Sequence, residues 1–239
     1  GWFSYRWTQI FDAGHIRAAS LVLKARPVNH GRQAAYTPAP IEEVVATIHS
    51  EKPALVFAPH VETASGIILP DAYLRAVADA VHAEGGLFVL DCVASGAIWV
   101  DMKACGIDVL ISAPQKGWSA SPCCALIMLS KAARDRVEAT TSTSFAADLK
   151  KWLHIMHAYE NGGHMYHATL PTGALAAFRD AMQETVATGL DLLKERQWAL
   201  GKQVRALMAR NGLRSVAAPG FEAPGVVVSY TDEESLHNG

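Results

Sequence analysis

Short runs of apolar residues alternate along the chain with stretches whose apolar positions recur every three or four residues. The runs lie at 54–58 (ALVFA), 87–90 (LFVL), 107–111 (IDVLI) and 125–129 (ALIML), with one more of the same kind at 20–23 (SLVL). Their apolarity is continuous rather than alternating, which predicts strands covered on both faces. Between the first two lies a segment, 70–82, in which Leu74, Val77, Ala78 and Val81 fall on one face of a helix. Gly85 and Gly86 end it. A strand–helix–strand unit of this kind predicts parallel neighbouring strands. From Thr172 to Ala209 the sequence turns helical after Pro171, with a break expected near Thr188 and Gly189 and a stop at Asn211–Gly212.

This pattern predicts an α/β fold: three layers, with a mostly parallel sheet between helices on both faces. Residues 1–170 are expected to form a large domain lacking its N-terminal part. Residues 171–213 would be a connector helix, and 214–239 the start of a small α+β domain. Both ends of a longer protein are expected to be missing. The chain opens on Gly1-Trp2-Phe3, without methionine or a signal-peptide pattern, and stops just after a strand-like run at 225–230.

Half of the 239 residues are apolar, enough for a large core or for one domain and part of another. The formal net charge of −2, with the ten histidines neutral, points to neither nucleic acid nor a membrane surface as a partner. No apolar run approaches the roughly 20 residues of a membrane span. Cys92, Cys105, Cys123 and Cys124 have no zinc-ligand or CxxC spacing. They read as reduced thiols of a cytoplasmic protein, most of them core filler.

In an open parallel sheet, ligands bind at the carboxyl ends of the strands. Three strands here end in polar groups. The first leads into His60-Val61-Glu62-Thr63-Ala64-Ser65-Gly66, the second into Asp91-Cys92-Val93, and the third into Ser112-Ala113-Pro114-Gln115-Lys116. Thr63, Asp91 and Lys116 could therefore converge on one ligand. An amine held among apolar neighbours is disfavoured in its charged form, and a neutral amine adds to carbonyls. An aspartate at a strand end is costly to bury unless it meets a cation, and a protonated pyridine nitrogen is one. That division of labour suits pyridoxal-phosphate chemistry.

At these residues the sequence resembles the class V aminotransferases of the fold type I pyridoxal-phosphate enzymes. Asp91-x-Val93 followed by Ser112-x-x-Gln115-Lys116 carries the likeness. The loop from His60 to Gly66 looks like the family's HGE-S-x-T-G loop, and Tyr166-His167-x-Thr169-x-Pro171 its YH-x-T-x-P segment. The opening Gly1-Trp2-Phe3-Ser4-Tyr5-Arg6 resembles NG-x-aromatic-G-x-R. The motifs come nearest to the alanine–glyoxylate and serine–glyoxylate (serine–pyruvate) enzymes. The resemblance implies pyridoxal 5'-phosphate held by Lys116 as a Schiff base, with Asp91 on the ring nitrogen. Val93 and Phe3 would cover the two ring faces, Thr63 would bond near the phenolic oxygen, and Gln115 would lie at the phosphate. Tyr166 and Thr169 would reach the phosphate of a second subunit, which implies a homodimer with shared sites. The substrates implied are a small amino acid and a 2-oxo acid such as glyoxylate or pyruvate.

Other readings stand beside this one. Lys116 alone suits a surface loop, Asp91 a helix N-cap, and Thr63 with Ser65 a tight turn. Val61, Ala64 and Cys123-Cys124 depart from the family pattern, which touches substrate preference more than reaction class. A lyase or cysteine desulfurase on the same fold is one rival, although every cysteine lies at or before position 124. A catalytically impaired binding protein is a second. A metal hydrolase built on His60, Glu62 and Asp91 is a third; His154-x-x-His157 and His164-x-x-His167 suggest metal ligation only weakly, so no metal is expected.

Overall fold

The computed structural model describes residues 1–16 and 20–232. The chain opens with α1 (Tyr5–Ala13), two short strands β1 (Arg26–Pro27) and β2 (Tyr36–Thr37), and α2 (Ile41–Glu51). Next come β3 (Leu55–Pro59), a hairpin of β4 (Val61–Glu62) and β5 (Ile67–Ile68), α3 (Asp71–Ala83) and β6 (Leu87–Asp91). After these lie the single turn α4 (Met102–Cys105), β7 (Val109–Ser112), β8 (Leu126–Leu129), α5 (Lys131–Glu138) and α6 (Leu149–Glu160). Two long helices, α7 (Thr172–Thr188) and α8 (Leu190–Arg210), follow, and Gly189 breaks the helical run at the expected point.

The main sheet has the order β3-β6-β7-β8. β6 is parallel to both β3 and β7, and β8 is antiparallel to β7, so the sheet is mixed and mostly parallel. β6 sits between two partners, and the first four of its five residues are buried. One face of the sheet presents Phe88, Leu90 and Leu110 to α2 and α3, where Val44, Ile48, Leu74, Val77 and Val81 complete the core. Fully burying an aliphatic side chain of this size contributes about 2 kcal/mol. Phe57 points to the opposite face, where α1 covers it with Trp7 and Phe11 at ring-centroid distances of 4.5 and 5.4 Å.

Two expectations change. Residues 20–23 form no strand, and Leu21 and Val22 are exposed. An apolar run becomes a strand only where a neighbour takes up its backbone hydrogen bonds, and pairing in this region begins only at Arg26 with Thr37. Coverage on both faces holds for β6 but not at the sheet's edges, where Leu55 of β3 and Ile127 and Met128 of β8 are exposed.

Beyond α8 the chain returns to the elements near the site. Val216 and Tyr230 donate backbone N–H bonds to Val228 and Arg214 at 3.0 and 2.8 Å, and Ala223 donates to the Gly66 carbonyl at 2.8 Å. The half-buried Arg205 of α8 holds this segment, donating to Ser215 Oγ at 3.0 Å and to the carbonyls of Ala223 and Val226 at 2.7 and 3.1 Å. Residues 233–239, the end of the expected small domain, lie outside the described residues.

Candidate active site

Register sets the three strand ends level. Pro59 of β3 pairs with Asp91 of β6, and Asp91 pairs with Ile111 of β7. The turns carrying Thr63, Asp91 and Lys116 therefore leave one edge of the sheet, the carboxyl edge of its parallel strands.

Asp91 is half-buried at the end of β6. Among the described residues its carboxylate takes one hydrogen bond, from the Val93 N–H at 2.9 Å. Burial pushes the carboxyl above its ordinary range; the Val93 bond works against that shift, and nearby Glu62 adds to it. Asp91 caps no helix: α4 begins eleven residues later and is capped by Asp101, which accepts from Lys103 N–H and Ala104 N–H at 2.9 and 3.0 Å. A carboxylate so placed suits a cationic ligand atom such as a protonated ring nitrogen.

Lys116 lies in the turn at 114–118 that follows β7. Its carbonyl accepts from Ser119 N–H at 3.0 Å, and the Pro114 carbonyl accepts from Ala120 N–H at 3.0 Å. Gln115 and Lys116 are both exposed. This corrects the expectation of an amine enclosed by apolar neighbours. Pro114 is fully buried, and Trp118 packs against Trp99 and Phe178 at 4.7 and 6.2 Å between ring centroids, so these residues take the inward positions. Gly117 ties this turn to the one after Asp91: a Cβ there would meet the Gly96 carbonyl oxygen at 2.1 Å. The two turns touch backbone to backbone, which only a residue without a side chain permits.

The third turn follows the β4 strand. His60 is almost wholly buried; its Nδ1 bonds Ser95 Oγ at 2.7 Å, and its N–H donates to the Asp91 carbonyl at 2.8 Å. Burial, then the charge of Lys194, lowers its pKa to about 4, so it is neutral at pH 7. Burial raises the Glu62 carboxyl, but the Ser4 hydroxyl, the Ala64 N–H and the N-terminal amine together lower it further, and the net shift is downward. Ser65 serves the turn, its N–H donating to the Glu62 carbonyl at 3.2 Å. Thr63 is half-buried between these residues, and Val93 is half-buried beside Asp91. Phe3 is exposed next to Ser4, which brings the start of α1 to the Glu62 turn.

Tyr166 and Thr169 lie on an exposed segment ahead of α7, where the Tyr166 hydroxyl and Thr169 Oγ1 are 3.2 Å apart. The same segment packs through His167 against Phe145 and Trp152. The histidine pair of α6 is engaged on the surface: His154 faces Glu138 at 3.5 Å, and His157 bonds Glu160 and Arg134, both at 2.9 Å. Among the described residues no three His, Cys, Asp or Glu side chains group to hold a metal ion, and no helix is long and apolar enough to cross a membrane.

The family model for class-V aminotransferases matches residues 18–229. The chain belongs to that family, whose members are pyridoxal-phosphate enzymes. Alanine–glyoxylate aminotransferase of Oryctolagus cuniculus is 30% identical over 190 residues, covering 78% of this chain and 47% of that protein. L-aspartate–glyoxylate aminotransferase of Paracoccus denitrificans is 26% identical over 217 residues, covering 91% of this chain and 52% of that protein. The crystal structure of alanine–glyoxylate aminotransferase from Nostoc sp. superposes with a TM-score of 0.72 at 22% identity, covering 83% of this chain and 52% of that one. The chain thus spans about half the length of the relatives it matches. The fold is that of the fold type I enzymes.

Sequence reasoning missed His60 with Ser95, the Gly96–Gly117 contact, and Arg205. Both glycines stand a few residues beyond a strand end, a usable signal for close approach. Nothing in the sequence paired Arg205 with a segment ten to twenty residues downstream.

Proposed function

We propose that this chain carries the cofactor-binding half of a pyridoxal-phosphate aminotransferase that moves an amino group from a small amino acid, of the alanine or serine type, to a 2-oxo acid such as glyoxylate or pyruvate. The observation that carries the reading is Asp91: a half-buried carboxylate at a strand end, accepting from one backbone N–H and joined through the Gly96–Gly117 contact to the turn that bears Lys116. The glyoxylate acceptors in the names of the Oryctolagus and Paracoccus relatives support the acceptor class.

In this reading Lys116 holds the cofactor through Nζ, and its amine then carries the substrate α-proton. Asp91 keeps the ring nitrogen protonated. Bound there, the cofactor supplies a sink for the electron pair left when that proton departs. Val93 and Phe3 bracket the ring, Thr63 bonds near its phenolic oxygen, and Gln115 lies toward the phosphate. Tyr166 and Thr169 extend to the phosphate of a second subunit, so the working form is a homodimer. His60 stays neutral and serves as a support, tying Ser95 through its ring and the Asp91 carbonyl through its backbone N–H.

The test is Lys116→Ala in the cofactor-loaded protein, with a screen of amino donors against glyoxylate and pyruvate. Loss of both the visible absorption band and turnover is expected. A Lys116→Ala variant that keeps normal turnover sinks the proposal. Release of sulfide from cysteine with no amino transfer would move the activity to the lyase branch.

A further inference from the structure

The Lys116 turn leads into β8 through residues 121–125, which form neither helix nor strand. Within them Cys123 and Cys124 hold their sulfurs 3.9 Å apart, with Cys124 exposed and Cys123 partly so. Adjacent Cα atoms are about 3.8 Å apart, short of the roughly 4.4–6.8 Å that an unstrained disulfide spans. A direct S–S bond at about 2.05 Å would need the sulfurs to close half their separation. A single atom between them fits better. Two bonds of about 2.3 Å, the length of a typical metal–thiolate bond, meeting at the roughly 95–100° of a pyramidal centre with a lone pair place their sulfurs about 3.5 Å apart, a far smaller closure than a disulfide needs.

We infer that Cys123 and Cys124 form a two-thiol clamp for a single-centre thiophile, of the class of organic trivalent arsenicals. The number of ligands argues against a structural zinc site. A structural zinc ion takes four ligands, and among the described residues no group of three His, Cys, Asp or Glu is placed to hold a metal. Arsenic(III) that already carries one organic group needs two sulfurs. The reaction balances without an oxidant. An arsenoso group, R–As=O, condenses with two thiols; both S–H bonds and the As–O bond break, two As–S bonds form, and the oxygen leaves with the two protons as water. Cys92 and Cys105 are buried and do not compete. The site does not depend on the proposed activity.

Phenylarsine oxide added to the purified protein tests this. Intact-mass analysis should give one adduct per chain, and peptide mapping should place it on the Cys123–Cys124 peptide. The adduct should survive 2-mercaptoethanol and be removed by 2,3-dimercaptopropanol at equal thiol concentration. Cys123→Ser and Cys124→Ser should each lower the retained adduct at least tenfold. An adduct that maps elsewhere, that a monothiol removes, or that both variants keep overturns the inference, as does no adduct at all. Mapping on the unsubstituted protein keeps the test decisive if either variant folds poorly.

Discussion

Asp91 and Asp108 lie at opposite ends of the same sheet, and the chain treats them differently. Asp108, just before β7, is buried and fully engaged. Its Oδ2 accepts from Phe88 N–H at 2.9 Å and lies 2.7 Å from His82 Nε2, while its Oδ1 accepts from the Ser130 hydroxyl at 2.8 Å. Its backbone N–H and carbonyl bond Phe88 and Ser130 as well. Asp91, at the other end, has one backbone N–H among the described residues and a carboxyl pushed upward by burial. A buried acid whose partners all come from its own chain fastens the fold. One that is short of partners at a strand's carboxyl end is poised for something the chain does not supply.

That contrast can be broken most sharply at Asp91. Asp91→Asn in the cofactor-loaded protein should lower kcat by roughly 10²–10³-fold, as loss of a charge aimed at the reacting system does. Steady-state kinetics with an aminotransferase assay would read it, and a change under threefold would make Asp91 a second structural acid. Asp108→Ala should do the reverse. It strands a buried N–H and a hydroxyl, costing about 3 kcal/mol and lowering Tm by roughly 9 °C. Activity per folded molecule should stay near normal at low temperature.

The neighbouring histidine gives a pH signature. His60 titrates near 6.5 when unfolded and at about 4 when folded. The unfolded chain therefore binds the proton more readily, and this contribution is complete above pH 6.5 and lost as pH falls through about 4. The loss should be on the order of 3 kcal/mol. Urea melts between pH 7 and 4 would measure it, and His60→Asn should flatten the slope. Gly117→Ala comes next, at about 1–3 kcal/mol, because a methyl forced against the Gly96 carbonyl overpacks the contact. Its weakened cofactor retention would separate it from a general loss of stability.

The smallest effect sharpens the comparison. The folded pKa of Asp91 is raised, so its contribution favours the fold at low pH and is lost as pH rises through that value. Asp91→Asn without cofactor should leave stability at pH 7 close to that of the unsubstituted protein or raise it slightly. A large destabilisation in thermal melts would mean that the carboxylate has structural partners after all.

The helix face of Leu74, Val77, Ala78 and Val81 was legible because helical periodicity and burial coincide. So were the four strands, whose apolar runs each found a partner in the sheet. The run at 20–23 looked no different in sequence, and only the lack of a neighbour marks it off. The candidate site was legible as a set of strand-end motifs. Its contacts were not: Gly117 against Gly96 and His60 against Ser95 join residues 21 and 35 positions apart, and pattern says nothing over such spans.

By itself, the order of residues determined which segments could become helices and strands, that β3 and β6 on either side of α3 would run parallel, and that polar groups would gather at one edge. Local propensity and periodicity suffice for that. Only the tertiary structure decided that Asp108 is satisfied while Asp91 is not, that Lys116 faces outward while Trp118 faces in, and that two turns meet through their glycines. Each depends on which groups arrive beside one another after the sheet has closed its register. The energy of a buried charge is set by those neighbours and not by its place in the chain.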